Sequence, residues 1–206
     1  LARPRKAARA AGNALISVTP ENRAGALKYW HCDSTVLAEV GLPATPAGAC
    51  RPRADGEPLR LVWSGQHTPG KALNLGLHAL SRLDGAQSWQ LEILGQCSQT
   101  GRWQALAARL GIAARCRFHG WLPRDQALEI MQGAHVLLIT SLRDLTATVT
   151  VEALALGLPI VCLDHCGFSA VVDDRCGLKV AVTRPQRTIQ ALAAAIALLA
   201  RDEPLR

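Results

Sequence analysis

The stretch SLRDLTATVTVEALALGLPIVCLD, residues 141–164, decides how this chain is read. Asp144 is followed by seven uncharged residues, three of them Thr, and then by Glu152, which meets no basic residue before the next apolar run. Val151, Ala153, Leu154 and Leu156 around it are apolar, so the segment reads as a buried helix carrying one carboxylate, stopped by Gly157 and Pro159. IVCLD (160–164) then reads as a strand, and HVLLIT (135–140) as the strand before the helix. Both are continuously apolar rather than alternating, the pattern of parallel strands covered on two faces.

Outward from this unit the same two periods keep alternating. LRLVWSG (59–65) and WQLEILG (89–95) read as strands, KALNLGLHALSRL (71–83) and RWQALAARL (102–110) as amphipathic helices, the second closed by Gly111. CRFHG is a short strand, RDQALEIMQ a helix, GLKVAV a strand and TIQALAAAIALLA a last helix. Such alternation needs crossover helices between parallel neighbours, so residues 59–206 are expected to form an α/β domain, a Rossmann-like doubly wound parallel sheet. Ligands of these sheets sit at the carboxyl ends of the strands, where the loops GQHTPGK, GQCSQTG, GWLPRD, TSLRDLTAT and DHCGFS would meet. Residues 1–58 break the rhythm: ALISVTP and STVLAEVGLP are at most two strands, and TPAGACRPRADGEP is a Pro- and Gly-rich linker. This segment is read as the tail of a preceding amino-terminal domain, with Leu1 a cut inside a longer protein.

Composition limits the partners. The 206 residues are 49% hydrophobic and 19% charged, enough to bury a core. The longest apolar run, residues 191–200, has ten residues, whereas a bilayer span needs about 20. An odd count of seven Cys fits a reducing compartment, so a cytoplasmic chain is expected. Cys162, His165, Cys166 and Cys176 lack the paired CxxC spacing of structural zinc sites, and no metal is expected. Arg3, Arg5, Lys6 and Arg9 give a basic arm with no acid before Glu21, either a solvated face or a contact with an anionic membrane. One Tyr and two Phe give no aromatic platform for bases, although five Trp are available, so nucleic acid is not an expected partner.

The loops carry the chemistry. SGQHTPGKA satisfies G-x-x-x-x-G-K through Gly65, Gly70 and Lys71, which raises a P-loop NTPase. Ala72 stands where a magnesium-binding Ser or Thr belongs, and Pro69 removes one phosphate-cradling N–H, so that reading is disfavoured. What remains is a Lys beside the ligand crevice, able to meet a diphosphate as a point charge. No GxGxxG follows a strand, so no dinucleotide cofactor is expected. If the helix in 141–164 begins near Ala147, the amides of Ala147, Thr148 and Val149 lie at the positive end of its dipole and form an anion site. Asp144 and Glu152 flanking a phosphate site would repel it unless they address sugar hydroxyls. The bland alternative is that Asp144 and Thr146 cap the helix and Glu152 is surface.

In combination these segments resemble the retaining family 4 glycosyltransferases with the GT-B fold. Asp144, seven residues and Glu152, followed by ALALGLPIV, is similar to that family's E-x7-E region; WSGQHTPGKALNLGLHAL to its G-R-x-x-x-x-K-G segment; LEILG, CRFHGWLP and DHCGFSAVVDDRCGLKV to its next landmarks. The resemblance covers residues 59 to about 200 and implies the carboxy-terminal, donor-binding half of an enzyme that transfers a hexosyl group from a nucleotide-diphospho-sugar, with retention and without a cofactor. It implies that Glu152 holds the ribose hydroxyls and Asp144 the transferred sugar. Lys71 and the amides of Ala147, Thr148 and Val149 would hold the diphosphate, Gly65 and Gln66 line it, and the backbone around Trp121 and Leu122 meet the base. Asp144 replaces the usual Glu, Gln66 the usual Arg, and Ala170 lies at the position near which many members carry Glu. The implied setting is bacterial polysaccharide assembly, on a glycan or lipid-linked acceptor bound through the amino-terminal domain, with peripheral contact at the inner membrane face. Without that domain the chain would transfer nothing. The rival is a non-catalytic nucleotide-binding module of the same fold.

Overall fold

The computed structural model describes residues 15–37, 41–42, 48–83, 87–145 and 147–206. The basic arm of Arg3, Arg5, Lys6 and Arg9, and Thr146, lie outside the described residues.

The chain opens with β1 (Ile16–Ser17), α1 (Pro20–Gly25), a π-helical turn (Ala26–Trp30) and β2 (Thr35–Val36). There follow β3 (Leu59–Ser64), a 3-10 turn (Pro69–Lys71), α2 (Leu73–Leu80), β4 (Trp89–Leu94), α3 (Thr100–Arg109), a second 3-10 turn (Ala113–Arg115) and β5 (Cys116–Gly120). The second half comprises α4 (Arg124–Gln132), β6 (Val136–Ile139), α5 (Thr148–Ala155), β7 (Ile160–Leu163), α6 (Phe168–Val171), β8 (Gly177–Val180) and α7 (Pro185–Arg201). β3 to β8 form one parallel sheet in the order β5-β4-β3-β6-β7-β8. The expected Rossmann-like architecture is therefore present.

Two cores flank this sheet. Leu61, Trp63, Leu91, Ile93, Leu138 and Val161 pack on one side against Leu73 and Leu77 of α2, Trp103 of α3 and Leu192 and Ile196 of α7. Val62, Leu94, Leu137, Ile139 and Ile160 face the other way, against Met131 of α4, Ala153 of α5 and Phe168 of α6. β6 and β7 are buried along their whole length, as their unbroken apolar sequences require.

Some element boundaries differ from expectation. The helix read from residue 71 starts at Leu73, because the turn Pro69–Lys71 leads into Ala72 at φ 47. α3 starts at Thr100 rather than 102. Before the linker the sequence announced at most two strands; β1 and β2 are present as a short parallel pair. Between them stands α1, its amino end capped by Thr19, whose hydroxyl accepts from the Asn22 amide at 3.1 Å.

Glycines hold the carboxyl ends of β3 and β4 together. Gly95 has φ 98, and a Cβ there would lie 2.1 Å from the Gly65 carbonyl oxygen, so the two loops approach at a distance only glycine allows. The linker closes the opposite end of the sheet. His135 is buried; its Nδ1 accepts from the Arg60 amide at 2.9 Å, while Arg51 contacts its Nε2 and pairs with Glu57 at 2.9 Å. Burial, with the positive charges of Arg206 and Arg51, pushes the His135 pKa down to about 4 from 6.5.

Between those two values the unfolded chain binds a proton at residue 135 and the folded one does not. Stability should therefore rise with pH from about 4 to 6.5, at a slope of at most about 1.4 kcal/mol per pH unit from this group. Urea titrations at pH 4.5 and pH 6.5 check it: His135→Asn should shrink the gain in stability between the two, and an undiminished gain would remove His135 as its source.

Candidate functional site

Strand order reverses between β3 and β6, which are neighbours although far apart in sequence. The chain leaves β3 towards α2 on one face and leaves β6 towards α5 on the other. The two outgoing loops thus part above the sheet, and the crevice between them is the place where such sheets take ligands.

Backbone and side chains tie these loops across the gap. The Leu142 and Arg143 amides donate to the Gly70 carbonyl at 2.8 and 3.3 Å. Thr140 donates its hydroxyl to the Lys71 carbonyl at 2.9 Å while accepting from Trp63 Nε1 at 3.0 Å. Lys71 Nζ donates to Asp144 Oδ2 at 2.6 Å, with side-chain exposures of 26% and 14%. A Cβ on Gly65 would lie 3.5 and 3.6 Å from Cδ and Cε of Lys71, so the lysine stem lies along that glycine.

Above the opposite lip, α5 begins at Thr148, its cap Ala147 at φ 54 with no side-chain hydrogen bond across the helix end. The Thr150 amide turns back to the Ala147 carbonyl at 2.9 Å. The amides of Thr148 and Val149 precede the first helical hydrogen bonds and sit at the dipole's positive end. Glu152 lies in the middle of this helix, and Arg124, the first residue of α4, donates from Nε to its Oε1 at 2.8 Å. In sequence Glu152 meets no cation; in space it does, because the fold sets α4 beside α5.

The structure thus brings Lys71 and Asp144 into contact, places Ala147, Thr148 and Val149 at the amino end of the helix that follows Asp144, and sets Glu152 in that helix against Arg124. Gln66 is exposed on the same loop, its carbonyl accepting from the Thr68 amide at 2.7 Å. Trp121 is 70% exposed and Leu122 half-buried after the edge strand β5; Arg124 is what connects their loop to the crevice. Arg143 is exposed and carries no ion pair among the described residues.

The loop 65–71 is not a phosphate cradle of the P-loop kind. Its Thr68, Lys71 and Ala72 amides are spent on Gln66, Thr68 and Pro69 carbonyls at 2.7, 3.1 and 3.1 Å. Cys162 and Cys166 are buried and all seven cysteines are unbridged; burial pushes the Cys162 thiol up to about 12, against the thiolate a metal would need. His165 points elsewhere, donating from Nε2 to the Leu142 carbonyl at 3.1 Å. Among the described residues no three His, Cys, Asp or Glu side chains are grouped to hold a metal ion, and no helix is long and apolar enough to cross a membrane.

Sequence reasoning passed over His67. It is fully buried behind the first loop, and burial holds its ring below the ordinary histidine pKa. Thr100 donates its hydroxyl to the Cys97 carbonyl at 2.9 Å, so it meets His67 Nδ1, also at 2.9 Å, as the acceptor. Nε2 is left without a hydrogen-bond partner among the described residues, beside Trp63 and Phe118. The His67 carbonyl accepts from Trp103 Nε1 at 2.9 Å, so this residue pins the loop to α3. No local pattern announces it, since its partners come from a later helix.

Residues 51–206 match the signature of the family described as Glycosyl transferases group 1. The chain belongs to that family. Among curated relatives, it is 28% identical over 184 residues to a D-inositol 3-phosphate glycosyltransferase of Streptomyces bingchenggensis (strain BCW-1), covering 80% of this chain and 40% of that protein. Of solved structures, the apo form of the lipopolysaccharide outer core galactosyltransferase WaaB superposes with a TM-score of 0.76 at 19% identity, over 89% of this chain and 53% of that one. The pneumococcal O-GlcNAc transferase GtfA, solved with UDP and GlcNAc, gives 0.73 at 16% identity, over 97% of this chain and 41% of that one. The chain therefore spans about half or less of the length of these proteins.

The contact between Lys71 and Asp144 can be weighed directly. A double-mutant cycle in urea with Lys71→Met and Asp144→Asn should give a coupling of about 0.5–1 kcal/mol, the scale of partly exposed pairs. Additive effects would mean that the pair does not fasten the two loops.

Proposed function

We propose that residues 59–206 are the donor-binding half of a retaining, family 4-type hexosyltransferase, and residues 1–58 the end of an acceptor domain and its connection. The observation that carries this is the contact of Lys71 with Asp144 between the loops that leave β3 and β6, the second of which leads into the amino end of α5, in a chain of the group 1 family. The donor is a nucleotide-diphospho-sugar. Its anomeric C–O bond breaks as an acceptor hydroxyl oxygen bonds the anomeric carbon; the electron pair stays with the diphosphate, whose departing oxygen gains negative charge and takes up the proton the hydroxyl loses. Lys71 and the Thr148 and Val149 amides oppose that charge from fixed positions. A lysine has three N–H donors, so Nζ can keep Asp144 and still address a phosphate.

In this reading Asp144 and Glu152 accept sugar and ribose hydroxyls and need no metal, since each carboxylate already has a cationic side chain, Lys71 and Arg124, beside it. Gly65 and Gln66 line the diphosphate, while the backbone of Trp121 and Leu122 receives the base. The acceptor is a glycan or lipid-linked saccharide of bacterial polysaccharide assembly. The enzyme works in the cytoplasm, its basic arm of Arg3, Arg5, Lys6 and Arg9 at the inner membrane face. UDP is the first nucleotide to test, because it occupies the solved GtfA.

Calorimetric titration of the full-length protein with UDP, GDP, ADP and TDP, with and without magnesium, tests the site. One of them should bind without magnesium, and Glu152→Ala should weaken it about tenfold or more, the loss of charge-assisted hydroxyl contacts worth about 1.5–3 kcal/mol. Binding by none, or binding indifferent to Glu152→Ala, would sink the donor-site reading and leave the non-catalytic module. In the transfer assay, Lys71→Ala should lower kcat by about 100-fold, the scale of a lost oxyanion donor, with the preference among donor sugars little changed. An unaltered kcat would take Lys71 out of the mechanism.

A further inference from the structure

Arg124 lies in GWLPRD, one of the loops at the carboxyl ends of the strands, yet no role was assigned to it from sequence; in the structure it pairs with Glu152. It is the first residue of α4, separated from Trp121 and Leu122 only by Pro123. From there its Nε spans to Glu152 Oε1 at 2.8 Å, joining the loop after β5 to the middle of α5. The two partners are unequally placed: the arginine side chain is 60% exposed and the glutamate 13%.

That asymmetry argues against a mainly structural pair. An ion pair with one long, solvated partner contributes little to folding, because water screens the attraction and ordering the arginine costs rotamer entropy. Its effect falls on the glutamate. A carboxylate on three rotatable bonds can point in many directions; with Oε1 held by Nε that range narrows, and Oε2 keeps its lone pairs for another donor. The cation also offsets a negative charge that would otherwise face an incoming diphosphate.

We propose that Arg124 is a positioning residue that fixes the Glu152 carboxylate for the hydroxyl pair of a ribose, and thereby sets the preference for ribonucleotides over deoxyribonucleotides. This rests on the donor-site reading above. Because Arg124 follows the segment assigned to the base, seating the base and aligning the ribose acceptor become one event: movement of that loop displaces the group that orients Glu152.

The test uses the full-length protein, with UDP and 2′-deoxy-UDP titrated calorimetrically against the wild type, Arg124→Ala and Arg124→Lys; if GDP or ADP binds tightest, it and its 2′-deoxy form replace them, and tightest binding of TDP, itself a 2′-deoxynucleotide, would overturn the proposal. The wild type should favour the ribonucleotide. Arg124→Ala should reduce that ratio by about tenfold, equivalent to about 1.4 kcal/mol, mostly through weaker binding of the ribonucleotide. Arg124→Lys should restore much of the ratio. A merely structural role would weaken both nucleotides equally and leave the ratio unmoved, which would overturn the proposal while leaving the donor site standing. Failure of the wild type to bind any of the four would instead overturn the donor site, and this proposal with it.

Discussion

Everything at the candidate site depends on the reversal of strand order between β3 and β6. Parallel neighbours reached by right-handed crossovers must place their helices on opposite faces where the winding changes direction. Here the register between those two strands is short, Leu61 with Val136 and Val62 with Leu137, and the chain separates immediately afterwards. A gap between loops is thus a consequence of topology. The residues only determine what lines it and how far it opens.

What lines it is a set of charges arranged in opposed pairs. Lys71 faces Asp144 from the other loop, and Arg124 faces Glu152 from the neighbouring helix. Partly exposed pairs of this kind contribute little to stability, so the loops owe their shape mainly to backbone bonds at Gly70 and to the close approach of Gly65 and Gly95. The pairs instead set direction, holding two short-range acceptors and two cations at fixed points over the sheet. In the proposed reading, an anion arriving there would meet the amino end of α5 and a lysine with donors to spare, and its accompanying hydroxyls would meet carboxylates whose charge is already partly offset.

How much of this was legible depends on the range of the interaction concerned. Unbroken apolar runs such as residues 136–139 and 160–163 announce parallel strands because burial on two faces leaves no polar position. Gly111 and Gly157, both at positive φ, mark helix ends that any reading of glycine would place. The gathering of Lys71 and Asp144 follows from knowing that both loops leave the carboxyl ends of adjacent strands. The Arg124 contact was not readable, because nothing in sequence sets residue 124 opposite residue 152 until α4 and α5 are packed on one face. The burial of His67 escaped for the same reason: its partners Thr100 and Trp103 belong to another helix. Ala147 and Ala72 at positive φ break a local rule, and only surrounding structure can impose that on an alanine.

The same geometry explains the most irregular residue in the stretch that decides the fold. Asp144 stands where the resembling family usually carries glutamate, and the shorter side chain is required by what it does in this chain. Oδ1 accepts from the Leu145 amide at 3.0 Å, a bond to the next residue's own backbone that a short carboxylate makes readily. Oδ2 takes the Lys71 ammonium. With one oxygen locked to the loop backbone, the other is held at a defined point above β3, so the cross-loop contact forms without first ordering a flexible side chain. An extra methylene would carry the carboxylate past the Leu145 amide and return that freedom. The substitution is therefore better understood as stiffening the lip of the crevice than as a weakened copy of a glutamate. Any sugar hydroxyl that reaches Asp144 meets an acceptor whose remaining lone pairs already have fixed directions.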